Sequence, residues 1–263
     1  TVPSFFNYIG MMKELKFLKN SLNYFKVNIF MNKIIVIPAR SGSKGVLNKN
    51  IKKLKGKELL VYSIETAKKI VPPIRIIVST DSEEYAIIAR KHGAEVPFIR
   101  PASIALDNST DFELFEHLYN WFILNENIYY DMAIHLRPTT PLRDINIINK
   151  AIKVFEAKKP DSLRSGHKAT ESPFKWFMKD DEGYFKGLDP KLTPEDINMA
   201  RQSFEPVYIS NGYIDIFNFN NITIHKSLHG KKMYIYETPL NYQVDSIEDF
   251  EFLEFKTNKK WIA

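Results

Sequence analysis

Cysteine is absent from all 263 residues, which excludes disulfides and thiolate metal sites and accords with a reducing compartment such as the cytoplasm. No run approaches the roughly eighteen uncharged apolar residues of a spanning helix, so stable membrane insertion is not expected. The six histidines show no metal-ligand spacing; His225 and His229 lie one helical turn apart but not within an H-E-x-x-H motif. Neither the dinucleotide fingerprint G-x-G-x-x-G nor a Walker A ending occurs, and serine hydrolase and kinase signatures are missing too. A dehydrogenase is thereby disfavoured. The net charge of +6 invites a nucleic-acid reading, but no nucleic-acid-binding motif accompanies it. Half of the excess sits in the first thirty residues, where Lys13, Lys16, Lys19 and Lys26 face only Glu14. No nucleic-acid partner is expected. Internal repeats and low-complexity tracts are also lacking.

What is present suits a soluble globular enzyme: 44% hydrophobic and 26% charged residues, enough for one large core with at most a small appendage. Residues 11–30 place Leu15, Leu18, Leu22 and Phe25 at helical spacing between lysines. This is either a basic amphipathic surface helix or an extension upstream of a domain that starts near Met31; the extension is the reading adopted, for residues 1–31. From there strands and helices alternate. Apolar, β-branched runs at 33–37, 74–79 and 132–136, with a shorter one at 95–99, predict strands. Residues 59–70, 82–92, 110–124 and 145–157 predict helices, with Asp81 or Ser82 as a cap of the second. The alternation predicts an α/β domain over 32–263 with a parallel sheet covered on both faces. Residues at about 164–210 are rich in Pro, Lys, Asp and Gly and predict a protruding arm. Strands are expected again at 213–217, 233–237 and 243–245, and a last helix at 248–255.

The loop after the first strand, IPARSGSKGVLNKN at 37–50, is the most informative segment. In open α/β sheets ligands bind at the carboxyl ends of strands. Gly42 and Gly45 allow backbone N–H groups to approach phosphate oxygens, and Arg40, Lys44 and Lys49 gather three cations in one loop, suited to a triphosphate. A solvated surface turn is the bland alternative.

Pro38-Ala39-Arg40, Ser43-Lys44-Gly45 and Lys49-Asn50 resemble the nucleotide-binding signature of the acylneuraminate cytidylyltransferases, also called CMP-sialic acid synthetases. Further blocks follow in that family's order: VSTD at 78–81, Arg100-Pro101-Ala102 with Asp107, LRPTTPLR at 136–143, Arg201-Gln202, Asn211-Gly212, and Val244-Asp245 with Asp249. The likeness covers about residues 32–257. It implies a three-layer, Rossmann-like nucleotide-diphospho-sugar transferase fold with a small dimerisation arm. The implied reaction couples CMP from CTP to the anomeric hydroxyl of a nonulosonic acid, with release of pyrophosphate, for cell-surface polysaccharide biosynthesis. By the same resemblance Arg40 and Lys49 are the catalytic cations. Ala39, Ser43, Lys44, Gly45, Asn50, Ser79 and Asp81 complete the nucleotide site, and Arg100, Ser109 and Asp111 choose the base. Arg137, Thr139, Lys175, Arg201, Gln202 and Asn211 face the sugar. Asp245, Gln243 and Asp249 are the candidates for holding Mg²⁺ or Mn²⁺, and the arm implies a homodimer.

Three departures qualify the likeness. Gln243 stands where the family has the first aspartate of Asp-x-Asp, and Asp249 reads equally as metal ligand or helix cap. Arg137 replaces a glutamine, and Ile209 stands where a cation is common; Arg137, with its planar fork, is therefore expected to capture the sugar carboxylate. These changes favour an acid other than N-acetylneuraminate, such as legionaminic acid. The surface alternatives are an exposed charge at Lys49 and an Arg100–Glu95 pair. The rival functions are a sugar nucleotidylyltransferase with another base or an octulosonic acceptor, and a catalytically dead nucleotide-binding homologue.

Overall fold

The structure is a computed structural model that describes residues 31–43 and 45–258; the amphipathic segment at 11–30 and Lys44 lie outside the described residues. The chain divides into a unit of residues 1–32 and a unit of residues 33–263, and everything below concerns the second.

In chain order the strands are β1 (Lys33–Pro38), β2 (Lys53–Leu54), β3 (Lys57–Glu58), β4 (Arg75–Ser79), β5 (Met132–His135), β6 (Ser162–Lys168), β7 (Phe177–Lys179), β8 (Phe185–Gly187), β9 (Tyr208–Asn218) and β10 (Met233–Glu237). The helices are α1 (Leu59–Lys68), α2 (Glu83–Lys91), α3 (Asp111–Trp121), α4 (Ile145–Lys158), α5 (Asn221–Ile224) and α6 (Ile247–Asn258). Six strands form the main sheet in the order β10-β6-β9-β5-β1-β4. β1 is parallel to both neighbours, with Ile35 opposite Ile76 and Ile134. A strand paired on both edges and covered on both faces has no polar side, which is why its middle is a continuous buried run, Ile34 to Ile37. Alternate residues serve opposite faces. Ile34 and Val36 join the aromatic cluster of Phe115, Phe122 and Phe217, while α1 lies against β1 on its own account.

The sheet is parallel in most of its pairs, as expected, but it is mixed. β9 runs antiparallel to both β5 and β6. The reason is the connection: β6 and β9 are joined by residues 169–207, which contain the β7–β8 hairpin and short 3₁₀ turns but no crossover helix, and a chain returning without a crossover pairs antiparallel. The segment expected as an arm from 164 to 210 therefore includes parts of two sheet strands at its ends, and only the stretch between them departs from the sheet. The expected strand at 95–99 is a single bridge, Ile77 with Glu95; Pro97 has no N–H to continue the ladder. The expected strand at 243–245 is extended chain whose Val244 N–H donates to the Thr139 carbonyl at 2.8 Å instead of to a strand.

Helix ends follow local chemistry. Ser82, not Asp81, caps α2, accepting from Tyr85 N–H at 3.4 Å. Thr110 and Glu113 form a reciprocal capping box at the start of α3. The expected helix at 110–124 widens after Trp121 into a π turn, Phe122–Glu126, which carries Glu126 to Arg75 at 2.9 Å.

Candidate functional site

The loop after β1 is shaped by residues that do not need a ligand to have a role. Buried Asn50 donates from Nδ2 to the Arg40 carbonyl at 2.9 Å. Asp81, at the end of the β4 turn, accepts from both the N–H and the hydroxyl of Ser41 at 2.8 Å. Ala39 is buried and its N–H reaches the Ser79 carbonyl at 2.9 Å. Gly45 is required by close approach: a Cβ there would lie 2.5 Å from the Asp245 carbonyl oxygen. That contact ties the loop to the C-terminal third, and Lys49 Nζ stands 3.4 Å from Asp245 Oδ1. The lysine expected from the sequence to be catalytic and the aspartate expected to hold a metal thus meet across 196 residues of chain.

Above the carboxyl ends of β1, β4 and β5 lies a cleft of about 450 Å³. Arg40, Ser43, Gly45, Lys49 and Asn50 line it from the loop, and Arg100, Ser109, Asp111, Arg137 and Thr139 line it from other segments. Arg40 Nη1 pairs with Asp107 Oδ1 at 2.9 Å. Arg100 is not paired with Glu95, which binds Arg75 at 2.7 Å. Instead Arg100 is buried, donating from Nε to Ser79 Oγ at 3.1 Å and from Nη2 to the Ser79 carbonyl. Burial pulls its pKa down to about 10, against the support of Asp81 and Asp111, so it remains a cation at neutral pH. Ser109 Oγ accepts from the Leu106 N–H at 3.0 Å and shapes the turn before α3.

Arg137 is placed differently from the expectation that it captures a carboxylate of the sugar. Its Nη2 donates to Asp111 Oδ2 at 2.7 Å and its Nη1 donates to the buried Asp215. Although burial opposes it, the two carboxylates raise the Arg137 pKa above its usual value. The Asp111 carboxyl, despite desolvation, is held below its usual range by the guanidinium of Arg137, which donates to it. His135 itself is fully buried, and desolvation drives its pKa down to about 3.

The metal candidates divide. Asp249 Oδ2 accepts from the N–H groups of Asp245 at 3.0 Å and Ser246 at 2.8 Å, so it caps the start of α6. Gln243 is packed against Gly212: a Cβ on that glycine would be 3.1 Å from Gln243 Oε1. The Asp245 side chain is 73% exposed. Among the described residues no cluster of three or more His, Cys, Asp or Glu forms a cage for a metal. One exposed carboxylate fits a hard cation that arrives with phosphate oxygens and keeps several waters, as Mg²⁺ does.

Four residues named for the sugar are not brought into this cleft by the chain. Arg201 and Gln202 border a separate hollow of about 320 Å³ where residues 169–207 leave the sheet. Arg201 donates to the Thr170 carbonyl. Lys175 donates to the Met199 carbonyl at 2.8 Å. Asn211 is buried, its Nδ2 donating to Thr238 Oγ1 at 2.7 Å. Conversely, sequence reasoning assigned nothing to Arg143, Asp215 or His135. Arg143 is half-buried and ties β9 to the loop after β5, donating to the carbonyls of Tyr213 and Arg137 at 2.7 Å each. Its place at the end of the LRPTTPLR block was the only available signal.

The sequence model of the cytidylyltransferase family matches residues 34–252. A Campylobacter coli protein named post-translational flagellin modification protein B is 33% identical over 233 residues, covering 86% of this chain and 95% of that protein. A CMP-N,N′-diacetyllegionaminic acid synthase of Campylobacter jejuni is 30% identical over 230 residues, with 86% and 95% covered. An N-acylneuraminate cytidylyltransferase of Escherichia coli is 41% identical over 125 residues, 47% of this chain, and the match spans only 28% of that longer protein. In fold, a CMP:2-keto-3-deoxy-manno-octonic acid synthetase solved with CTP superposes with a TM-score of 0.65 at 14% identity, over 87% of this chain and 99% of its own.

Proposed function

The chain belongs to the cytidylyltransferase family, and from that premise we propose that it transfers CMP from CTP to the anomeric hydroxyl of a nonulosonic acid, releasing pyrophosphate. One observation carries the reading: the cations of the β1 loop, Arg40 and Lys49, open into the same cleft as the buried guanidinium of Arg100, above the carboxyl ends of the parallel strands. A triphosphate needs the first two, and a pyrimidine carbonyl can accept from the third.

The anomeric oxygen attacks the α-phosphorus, a P–O bond to the β-phosphate breaks, and pyrophosphate leaves. That hydroxyl is a weak nucleophile, so the enzyme's work is alignment and stabilisation of the charge moving onto the leaving group. Arg40 and Lys49 are positioned to bear on that charge, and loop N–H groups around Ser43 and Gly45 can hold the remaining phosphates. Asp245 would hold Mg²⁺ or Mn²⁺, which would offset the same charge. The legionaminic acid synthase named above supports a diacylated nonulosonic acid as the acceptor. We assign the reaction to the cytoplasm, where CTP is available. We further propose a homodimer: residues 169–207 expose Trp176, Phe177, Tyr184 and Phe185, a surface of the kind found in subunit contacts, and would carry Lys175, Arg201 and Gln202 towards the partner's cleft.

The test is pyrophosphate release with Mg²⁺, each of the four nucleoside triphosphates, and a panel of N-acetylneuraminic, N,N′-diacetyllegionaminic and octulosonic acids. Release with CTP that depends on a nonulosonic acid is expected. Preference for another nucleotide, or no release with any pair, would overturn the assignment. Light scattering decides the dimer; a fully active monomer would exclude a shared site.

A further inference from the structure

Beneath the cleft, three neighbouring strands each contribute a polar side chain to one layer, buried at His135 and Asp215 and half-buried at Arg164. His135 on β5 stands in register with Asp215 on β9, and Asp215 stands in register with Arg164 on β6. The Asp215 side chain is 1% exposed, its Oδ2 accepts from Arg137 Nη1, and its Oδ1 lies 3.7 Å from Arg164 Nε, outside hydrogen-bond distance. His135, packed between Phe115 and Phe217, completes the layer with no exposed surface. The layer reaches the cleft at Arg137 and Asp111 alone; Asp215 and His135 do not line it.

Removing charges from water costs several kcal/mol per ion, and apolar side chains of similar volume usually serve stability as well or better. A buried ion layer is therefore poor evidence of a stabilising device. This one ends in the cleft, so its retention is accounted for by what it presents there. Arg137 offers its two terminal nitrogens to Asp215 on one side and Asp111 on the other. Held in this way it does not present a bare fork to an incoming carboxylate. What faces the cleft is an ionised carboxylate, which accepts hydrogen bonds and donates none.

We propose that Asp215 is a positioning residue that fixes Arg137 as the holder of Asp111, and that the Asp111 carboxylate takes a hydroxyl or amide N–H of the sugar acid, whose own carboxylate is seated elsewhere. This rests on the cleft being the site proposed above. It makes the cleft selective for a donor-bearing group, the polyol or acylamino portion of the acceptor, at the position where the sequence suggested an anion receptor.

The experiment compares Asp215→Asn, Asp111→Asn and the double variant with the wild type, using CTP and the acid of the panel that the wild type turns over fastest. Coupled members of one ion network interact strongly enough to change an equilibrium by about tenfold. Asp215→Asn is expected to raise the KM of the sugar acid by about that factor, with kcat altered less than about threefold and the KM of CTP unchanged. Asp111→Asn should act in the same direction, and the double variant should be no worse than the worse single one. Asp215→Glu, which keeps the charge, should recover part of the loss. A lowered melting temperature with unchanged sugar-acid KM would reduce Asp215 to a structural role, and additive losses would uncouple it from Asp111; either result overturns the proposal. If the wild type releases no pyrophosphate at all, the reaction assignment fails separately. The crystal structure of Asp215→Asn then decides the positioning claim: Arg137 should have left Asp111, and an unmoved Arg137 refutes it.

Discussion

Lowering the pH from 7.5 to 5 should weaken the fold through His135, and the size of the effect follows from its burial. Desolvation holds the folded-state pKa at about 3, whereas the unfolded chain takes up this proton at the ordinary histidine value of 6.5. The folded pKa of a base is thus depressed, so the native state binds fewer protons than the unfolded one. Its contribution to stability is fully present above pH 6.5 and is lost as pH falls towards 3. One pKa unit corresponds to about 1.4 kcal/mol, so roughly 2 kcal/mol is lost by pH 5 and up to about 5 kcal/mol by pH 3. The assay is urea unfolding at pH 7.5, 6 and 5 for the wild type and for His135→Met. The variant removes the titrating group at similar volume, and it also removes two buried nitrogens without partners, so at pH 7.5 it should cost little or nothing. Other histidines, including the partly buried His117 and His229, are common to both proteins and cancel in the difference. The wild type should lose about 2 kcal/mol more than the variant between pH 7.5 and 5. Parallel pH dependences would show that His135 is solvated or already charged in the folded protein, and would refute its burial as a neutral imidazole.

The remaining expectations concern the cleft. Arg40→Ala and Lys49→Ala should each lower turnover of CTP by about 10²-fold with the melting temperature nearly unchanged, since charge stabilisation of this kind is worth a few kcal/mol; normal kinetics in both would misplace the site. Gly45→Ala should cost about 1–3 kcal/mol in stability and raise the KM of CTP, because backbone stands 2.5 Å from the new Cβ and must move; an unchanged melting curve and KM would contradict the close approach. Asp245→Asn should shift the Mg²⁺ titration of activity to higher concentration and, by calorimetry, weaken Mg²⁺-dependent CTP binding; coincident titrations would remove Asp245 from the metal.

The parts legible in the sequence are those whose neighbours are close in the chain or whose burial is complete. β1 and its loop belong here: four consecutive apolar residues buried on both faces are followed at once by the cations that use the strand's end. At Asp249 the sequence left helix cap and metal ligand equally open, and acceptance from the N–H groups of Asp245 and Ser246 makes it a cap. β6 was not. Its sequence, SLRSGHK, buries one large apolar residue, Leu163, among small and polar ones, so it shows neither a two-residue alternation nor an apolar run. The direction of β9 was hidden for a related reason, since it depends on how residues 169–207 return the chain. Arg137 was recognised as unusual, yet its partners lie 26 and 78 residues away. No local pattern could show that its fork is already occupied.

Burial sorts the charges of the cleft into two kinds, and the sorting bears on how the site works. The Arg40–Asp107 and Lys49–Asp245 pairs are open to solvent, with 31% and 41% of the side-chain surface exposed in the first and 15% and 73% in the second. Such pairs are worth about 0.2–1 kcal/mol, so a triphosphate can replace the carboxylates at little cost. In the second pair that replacement has two products: Lys49 is released to a phosphate, and Asp245 is released to any cation the phosphates bring. Arg137 with Asp215 is the opposite case, 21% and 1% exposed, and breaking a buried pair costs about 3–5 kcal/mol because one charge is left behind. No single contact to a substrate outweighs that. On the proposed assignment the exposed pairs are the ones a ligand would exchange, and the buried pair, with Asp111 on its outer side, would be the fixed surface beside them.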